Sequence, residues 1–458
     1  MKRRDFLKSG FLLGAGLMAG RGFAGPLVRT RSHLPNIIII FTDDQGWGDL
    51  GCYGSDLLNT PNIDELAKGG IRFTSFYSSA PVCSPSRAGL ITGRYPPRTK
   101  VTDVLRPNRL SLNPLHNTIN AGLNLELILE PGTAFALPKK EITLAQALKS
   151  AGYATCCIGK WHLGDIPGYR PHERGFDHYL GLLYSNDMVP LPLWRNSEIV
   201  EKHPVNQDYL TQKYTKEALW FIKENKNRPF FLYLAHTFPH VPLHCSPRFR
   251  GKSKAGLYGD CIEEIDWSTG EILNALDRYG ILKNTLILYS SDNGPWWQGN
   301  PGYHRGRKHE TFDGGMRVPF IAYWQERIPP GQITDQMAMN IDFFPTCLSA
   351  AGLTLPKDRI IDGKNLLPLL EGKEKTSPHQ ALYFYNGRQL QAIRVGRWKY
   401  HRKHYLLYYP IGMPKGPYLF DLKNDPNESY NVIDLYPEVA RELENMMKEW
   451  EKRFKTGV

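Results

Sequence analysis

The chain reads as an α/β protein, a large mixed sheet sandwiched by helices, followed by a smaller C-terminal antiparallel sheet with one helix. Three observations point there. Apolar, β-branched runs recur at Pro35–Phe41, Gly152–Ile158, Pro229–Ala235 and Thr285–Ser291, and a run without polar alternation is the pattern of a strand buried on both faces of a parallel sheet. Helix-patterned stretches stand between these runs. Beyond about residue 375 the texture changes to short strands separated by turns. With 458 residues the chain exceeds the size at which one core stops growing, so a large domain over 34–375 and a smaller one over 376–458 are expected.

Composition narrows the function classes only a little. Apolar residues make up 41% and charged residues 22%, as in ordinary soluble globular proteins. The formal net charge is +12, but the first 24 residues hold five basic side chains against Asp5, which leaves +8 for the rest. An anionic substrate or a polyanionic polysaccharide suits that excess. Nucleic acid is set aside, because no basic repeat with interleaved aromatics is present.

At the start, Lys2-Arg3-Arg4-Asp5-Phe6-Leu7-Lys8 precedes the apolar run Phe11–Ala19 and the small-x-small site Gly22-Phe23-Ala24. That order fits a twin-arginine-type signal peptide over residues 1–24. The run falls short of the roughly 20 apolar residues of a membrane span, so export to the periplasm or exterior of a bacterium is expected, with no stable membrane span. Seven cysteines follow without any CxxC, which argues against zinc or redox work. In an oxidising compartment disulfides remain possible, although the adjacent Cys156 and Cys157 read as free buried thiols.

In chain order, the Pro35–Phe41 strand ends in Thr42-Asp43-Asp44. Adjacent carboxylates at a strand end are costly unless a cation neutralises them, and ligands of α/β sheets gather beyond the carboxyl ends of strands. Thr60–Gly70 reads as a short capped helix and Ile71–Tyr77 as a strand. Next comes Pro81-Val82-Cys83-Ser84-Pro85-Ser86-Arg87, with a helix from Ser86. A cysteine at a helix entry sits in positive potential, which suggests an activated thiol or an anion site; a buried structural cysteine is the plain alternative.

Residues 100–140, rich in proline and asparagine, read as a lip over a site. Helix patterning returns at Ile142–Lys149 and Thr211–Ile222. The Gly152–Ile158 strand ends in Gly159-Lys160-Trp161-His162, Pro229–Ala235 ends in His236 and His240, and Thr285–Ser291 ends in Asp292-Asn293. Trp296 and Trp297 fit sugar stacking or simple packing equally well. Asp43, Asp44, Asp292 and Asn293 are oxygen donors of the kind that suit a hard cation such as calcium or magnesium. In the last part, Ala381–Tyr385, Gln391–Val395, Trp398–Tyr400 and Tyr418–Leu422 are short strands, and Pro437–Phe454 is an amphipathic helix.

Cys83-Ser84-Pro85-Ser86-Arg87, continued by Gly89-Leu90-Ile91-Thr92-Gly93-Arg94, resembles the signature of type I sulfatases of the arylsulfatase and N-acetylgalactosamine-6-sulfatase kind. In them the C-x-P-x-R cysteine is oxidised to formylglycine. Gly159-Lys160-Trp161-His162-Leu163-Gly164 is a second similar motif, and Arg174–Gly181 and Tyr184-Ser185-Asn186-Asp187 follow similar segments. The resemblance covers roughly residues 34–455. It implies an alkaline-phosphatase-like fold, hydrolysis of a sulfate ester, and one calcium ion held by Asp43, Asp44, Cys83, Asp292 and Asn293.

It also implies roles. The formylglycine made from Cys83 would hydrate, and one hydroxyl would attack sulfur to give a covalent enzyme sulfate. Arg87 would hold the hydrate and Lys160 the sulfate group. His240 and Lys308, the latter six residues before Gly314, would assist departure of the alcohol. His162 would then take the second hydroxyl proton, and Ser185 and Asp187 would face the substrate. Implied partners are a formylglycine-generating enzyme and a sulfated carbohydrate or other sulfate ester. A phosphomonoester or phosphonate ester hydrolase, or a noncatalytic polysaccharide-binding relative, are the alternatives.

Overall fold

The computed structural model describes residues 34–107, 135–402 and 416–456. The expected signal peptide and the middle of the expected lip, residues 108–134, lie outside the described residues. The flanks of that stretch turn inward: Val101, Leu105 and Leu137 are buried in the main core.

Ten strands form one mixed sheet. Across it they run Gln332–Thr334, Ile71–Phe73, Phe320–Tyr323, Thr285–Ser291, Asn36–Thr42, Phe230–Ala235, Ala154–Lys160, His178–Leu182, Leu193–Arg195 and Glu198–Glu201. The five from Thr285–Ser291 to His178–Leu182 are mutually parallel, and Phe320–Tyr323 runs antiparallel to its neighbours. The pleat explains why the central strand carries no polar residue between Ile37 and Phe41. Ile37, Ile39 and Phe41 face one core with the helices Cys83–Thr92, Leu144–Ser150 and Phe343–Ala350. Ile38 and Ile40 face the other, with Pro61–Gly69, Leu210–Asn225 and Gly256–Arg278. Each fully buried isoleucine contributes about 2 kcal/mol, and both faces of this strand contribute.

Two expectations need correction. The strand expected over Ile71–Tyr77 is two: Ile71–Phe73 joins the large sheet, whereas Phe76–Tyr77 pairs with Ala338–Met339 in a separate ribbon. The break falls where Thr74 turns its N–H to Thr334. The helix expected from Ser86 starts at Cys83, after an extended Val82. Pro85 is tolerated there because first-turn N–H groups have no intrahelical acceptor to lose.

Leu382–Asn386, Gln389–Val395, Trp398–His401 and Tyr418–Asp421 form the second sheet, antiparallel throughout. The helix Pro437–Thr456 packs on it through Ala440, Leu443 and Met447. Tyr77, Tyr95 and Met316 of the larger part belong to the same core cluster, so the small sheet is fastened to the large one by apolar contact. All seven cysteines are free thiols and six of them are buried.

Candidate active site

Four neighbouring parallel strands end along one edge. Thr42 lies opposite Ser291, Phe41 opposite Ala235, and Ala235 opposite Gly159. The next residues along these chains are therefore delivered side by side: Asp43 and Asp44, Asp292 and Asn293, His236 to His240, and Lys160 to His162. Gly159 makes this close approach possible, since it has φ of 101° and any Cβ there would lie 1.8 Å from the Ala235 carbonyl oxygen.

The Cys83–Thr92 helix points its first residue into this edge. Cys83 Sγ lies 3.5 Å from Asp43 Oδ1. Arg87, one turn on, donates through Nε and Nη2 to Asp292 Oδ2 at 3.1 and 2.8 Å, and through Nη1 to the Lys160 carbonyl at 3.2 Å. Lys160 Nζ donates to Asp43 Oδ2 at 2.6 Å and to Ser185 Oγ at 3.2 Å. Lys308 Nζ reaches Asp44 Oδ2 at 2.8 Å. His240 stands with Nε2 3.7 Å from the same oxygen. Ligand atoms of Asp43, Asp44, Cys83 and His240 all lie within 4.8 Å of one another.

The electrostatics follow from three carboxylates and three cations in a buried space. Burial raises the Asp43 carboxyl, but Lys160, His240, Arg87 and Lys308 outweigh it and hold Asp43 well below its ordinary value. Asp44 is also lowered, burial being overcome chiefly by Lys308. Asp292 goes the other way, raised by burial and by Asp43. Both lysines stay cationic, because the neighbouring carboxylates more than offset burial. The Cys83 thiol is pushed up by burial despite Lys160 and Lys308. The helix entry therefore does not make a thiolate here; desolvation wins.

The histidines differ in their partners. Burial, then Lys160, holds His162 well below its ordinary value. Its Nε2 meets the Leu105 carbonyl at 2.9 Å, so that nitrogen carries the hydrogen, and Nδ1 has no partner among the described residues. His240 Nδ1 faces two acceptors, Val241 O at 2.6 Å and Asn186 Oδ1 at 3.0 Å, which places the hydrogen on Nδ1. Burial and Lys308 lower its pKa. His236 is buried with no partner for either ring nitrogen among the described residues, and burial takes it down to about 3. Asp44, His162 and His309 hold left-handed backbone, with φ of 65°, 58° and 76°, at a typical cost of about 1–3 kcal/mol each.

The expected residues thus converge, with one exception. Cys83, Arg87, Lys160, His162, Ser185, His240, Lys308 and the Asp43, Asp44, Asp292, Asn293 set share one mouth. Asp187 is exposed and stands outside this contact network. A divalent cation fits the donor set on an independent ground: Asn293 Oδ1 is buried with no partner among the described residues, while its Nδ2 donates to Asp44 Oδ1 at 2.7 Å.

Sequence reasoning missed a supporting layer. Asn186 orients His240, and its own Nδ2 is held by Gln207 Oε1 and Pro242 O at 3.0 and 2.9 Å. Asn186 lay inside a segment already singled out, and its amide was the available signal. The loop carrying Lys308 is gripped by the second sheet: Asn386 Nδ2 donates to His309 O at 2.9 Å and Thr311 Oγ1 to Gln391 at 3.0 Å. On its other side His309 N donates to Pro81 O, two residues before Cys83, at 2.9 Å. No local pattern announces such contacts across 77 to 228 residues.

Comparison with known proteins bears on this geometry. The sequence family described as Sulfatase matches residues 35–353, and that described as N-sulphoglucosamine sulphohydrolase, C-terminal, matches residues 302–453. N-acetylgalactosamine-6-sulfatase of Canis lupus familiaris is 40% identical over 406 residues, covering 84% of this chain and 73% of the relative. Arylsulfatase A of Bos taurus is 36% identical, covering 95% and 89%. A solved structure from Bacteroides thetaiotaomicron, described in connection with metabolism of multiple glycosaminoglycans, superposes with a TM-score of 0.81 at 29% identity, covering 92% of this chain and all of that one.

Proposed function

This chain belongs to the sulfatase family and is a sulfuric ester hydrolase, and on that premise we propose that it removes sulfate from a sulfated glycan, using a formylglycine made from Cys83 and a bound calcium ion. The observation that carries the proposal is the charge inventory of the mouth. Asp43, Asp44 and Asp292 face Arg87, Lys160 and Lys308 around Cys83. A bound divalent cation, with Arg87, would hold Asp292 ionised despite its burial, so three negative charges would balance three positive ones and the cation would leave the mouth two charges positive, suited to an anionic ester.

Asp43, Asp44, Asp292 and Asn293 would hold the cation, whose oxygen-rich set suits a hard ion. When present, the aldehyde supplies a hydrate oxygen as nucleophile, and the cation supplies positive charge beside it. Arg87 and Lys160, fixed by Asp292 and Asp43, steady the groups around position 83. Lys308, kept cationic by Asp44, stands with His240 where charge on a departing alcohol oxygen would be neutralised. His162 is neutral and offers Nδ1 as a proton acceptor.

The excess of positive charge and the names of similar proteins support a glycan over a small aryl ester. Measuring sulfate released from sulfated oligosaccharides and from an aryl sulfate, and phosphate released from an aryl phosphate, tests this. Turnover confined to the aryl sulfate would sink the glycan reading, and turnover of the phosphate alone would favour the phosphoester alternative. The peptide containing residue 83 should weigh about 18 Da less than its thiol form. The proposal extends to export through the twin-arginine-type signal and maturation by a formylglycine-generating enzyme. Fractionating cells that express the full chain tests export, expected outside the cytoplasm.

A further inference from the structure

Two tryptophans follow Asp292-Asn293, and they do different things. Trp296 is half-buried, with its ring 5.8 Å from the ring of His309. Trp297 leaves 69% of its surface exposed, so the packing role that would explain a tryptophan in the interior does not apply to it. Isolated exposed apolar residues are ordinary, but this one is held in place. The Arg307 guanidinium carbon lies 5.2 Å from its ring centroid. Arg307 Nη1 in turn donates to the Trp296 and Gly299 carbonyls at 2.9 and 2.6 Å, and its backbone N–H to Glu310 Oε2 at 3.0 Å.

The loop is thereby closed on itself and registered against the mouth. Lys308 N donates to Pro295 O at 3.0 Å, while Lys308 Nζ reaches Asp44. Consecutive Cα atoms are about 3.8 Å apart, so one side chain of this loop enters the mouth and its immediate neighbour supports an indole on the rim. A rigid, exposed indole backed by a guanidinium offers an apolar face for a sugar ring and a positive charge for an anionic substituent on it.

We infer that Trp297 and Arg307 form a subsite for the sugar ring adjacent to the one that carries the scissile sulfate. This rests on the glycan reading above and deepens it: the enzyme reads an oligosaccharide rather than a single sulfated sugar. The mature enzyme and its Trp297→Ala and Trp297→Phe variants are compared on sulfated tetrasaccharides from chondroitin sulfate, carrageenan and heparin, and on the matching sulfated monosaccharides.

Wild type should prefer a tetrasaccharide to its monosaccharide in kcat/KM. Trp297→Ala should reduce that preference about tenfold, chiefly through KM, and Trp297→Phe should restore most of it. Equal loss on both substrates, or an intact preference in Trp297→Ala, overturns the subsite. Unchanged thermal unfolding of the variants excludes misfolding as the cause. If wild type releases sulfate from no sugar at all, the glycan reading fails with the subsite, and that is visible before any variant is made.

Discussion

Two of the charge clusters buried among the described residues are built to opposite standards. Between the two sheets, Lys399 Nζ bonds Asp313 Oδ1 at 2.7 Å and Glu428 Oε1 at 3.0 Å, and Arg317 and Tyr77 reach Asp313 Oδ2 at 2.8 and 3.0 Å. Glu428 Oε2 accepts from Asp313 N, and His401 Nε2 meets Glu428 Oε1 at 3.2 Å. Every carboxylate oxygen there is matched inside the protein. At the mouth Asn293 Oδ1 and His162 Nδ1 have no partner among the described residues, and Asp44 and His162 hold costly backbone. Carboxylates whose every oxygen is matched specify how two parts of a fold sit together, even though Arg317 Nε beside them has no partner among the described residues; a mouth that leaves the acceptors Asn293 Oδ1 and His162 Nδ1 open is shaped for something not in the chain.

The largest test of that contrast is Cys83→Ala. Sulfate release should fall by about 10⁴-fold or more, with thermal unfolding little changed, because among the described residues the thiol makes one weak hydrogen bond, to Asp43. Lys399→Met should do the reverse at the interface. Removing one partner of a buried pair costs about 3–5 kcal/mol, so its thermal midpoint should drop sharply. A stable but inactive Lys399→Met protein would erase the distinction between the clusters.

Chelation comes next in size. Removing calcium should abolish most activity, and restoring it at about 100 times its Kd should stabilise the fold by about 2.7 kcal/mol. Asp44→Asn should lose that stabilisation while Asp313→Asn keeps it, as read by calorimetry with and without calcium. Calcium-independent melting of wild type would count against the donor set.

Asn386→Ala should act across the contrast, since it belongs to the small sheet but holds the loop of Lys308. We expect kcat to fall roughly tenfold with a modest change in KM, and Asn386→Ser, which keeps a donor, to recover part of it. Additive losses in the Asn386→Ala, Lys308→Ala double variant would show that the two do not act through one another.

The smallest expected effect is in acid. Burial raises the Asp313 carboxyl, but Lys399 and Arg317 overwhelm it and hold it far below its ordinary 3.8. A lowered carboxyl contributes stability that is complete above the ordinary value and is lost as pH falls below it. Wild-type stability should therefore decline more steeply than that of Asp313→Asn below about pH 4, where the two melting curves converge. Parallel curves would mean the pair is not what holds the interface in acid.

Much of this was legible before any coordinates. Ile37 to Phe41 could only be a strand covered on both faces, and Asp43, Asp44, Asp292 and Asn293 were placed at strand ends by residue type and position. Cys83-Ser84-Pro85-Ser86-Arg87 named the chemistry by resemblance. Less legible were elements whose cause is distant. The break at Thr74 depends on Thr334, and Asp187 looked equivalent to Ser185 until one was found against Lys160 and the other in solvent. Trp296 and Trp297 were indistinguishable as letters.

Local sequence determined the strands, the helix entry at residue 83 and the inventory of acids and bases, because hydrophobic period and turn chemistry act over a few residues. Only the tertiary structure decided which atoms of those groups meet. It set Asn186 on His240, Asn386 on the carbonyl beside Lys308, and Arg307 under Trp297. It also turned a cysteine at a positive helix end into a neutral thiol. Those outcomes depend on burial and on distances of a few ångströms, and both are properties of the packed chain rather than of any stretch of it.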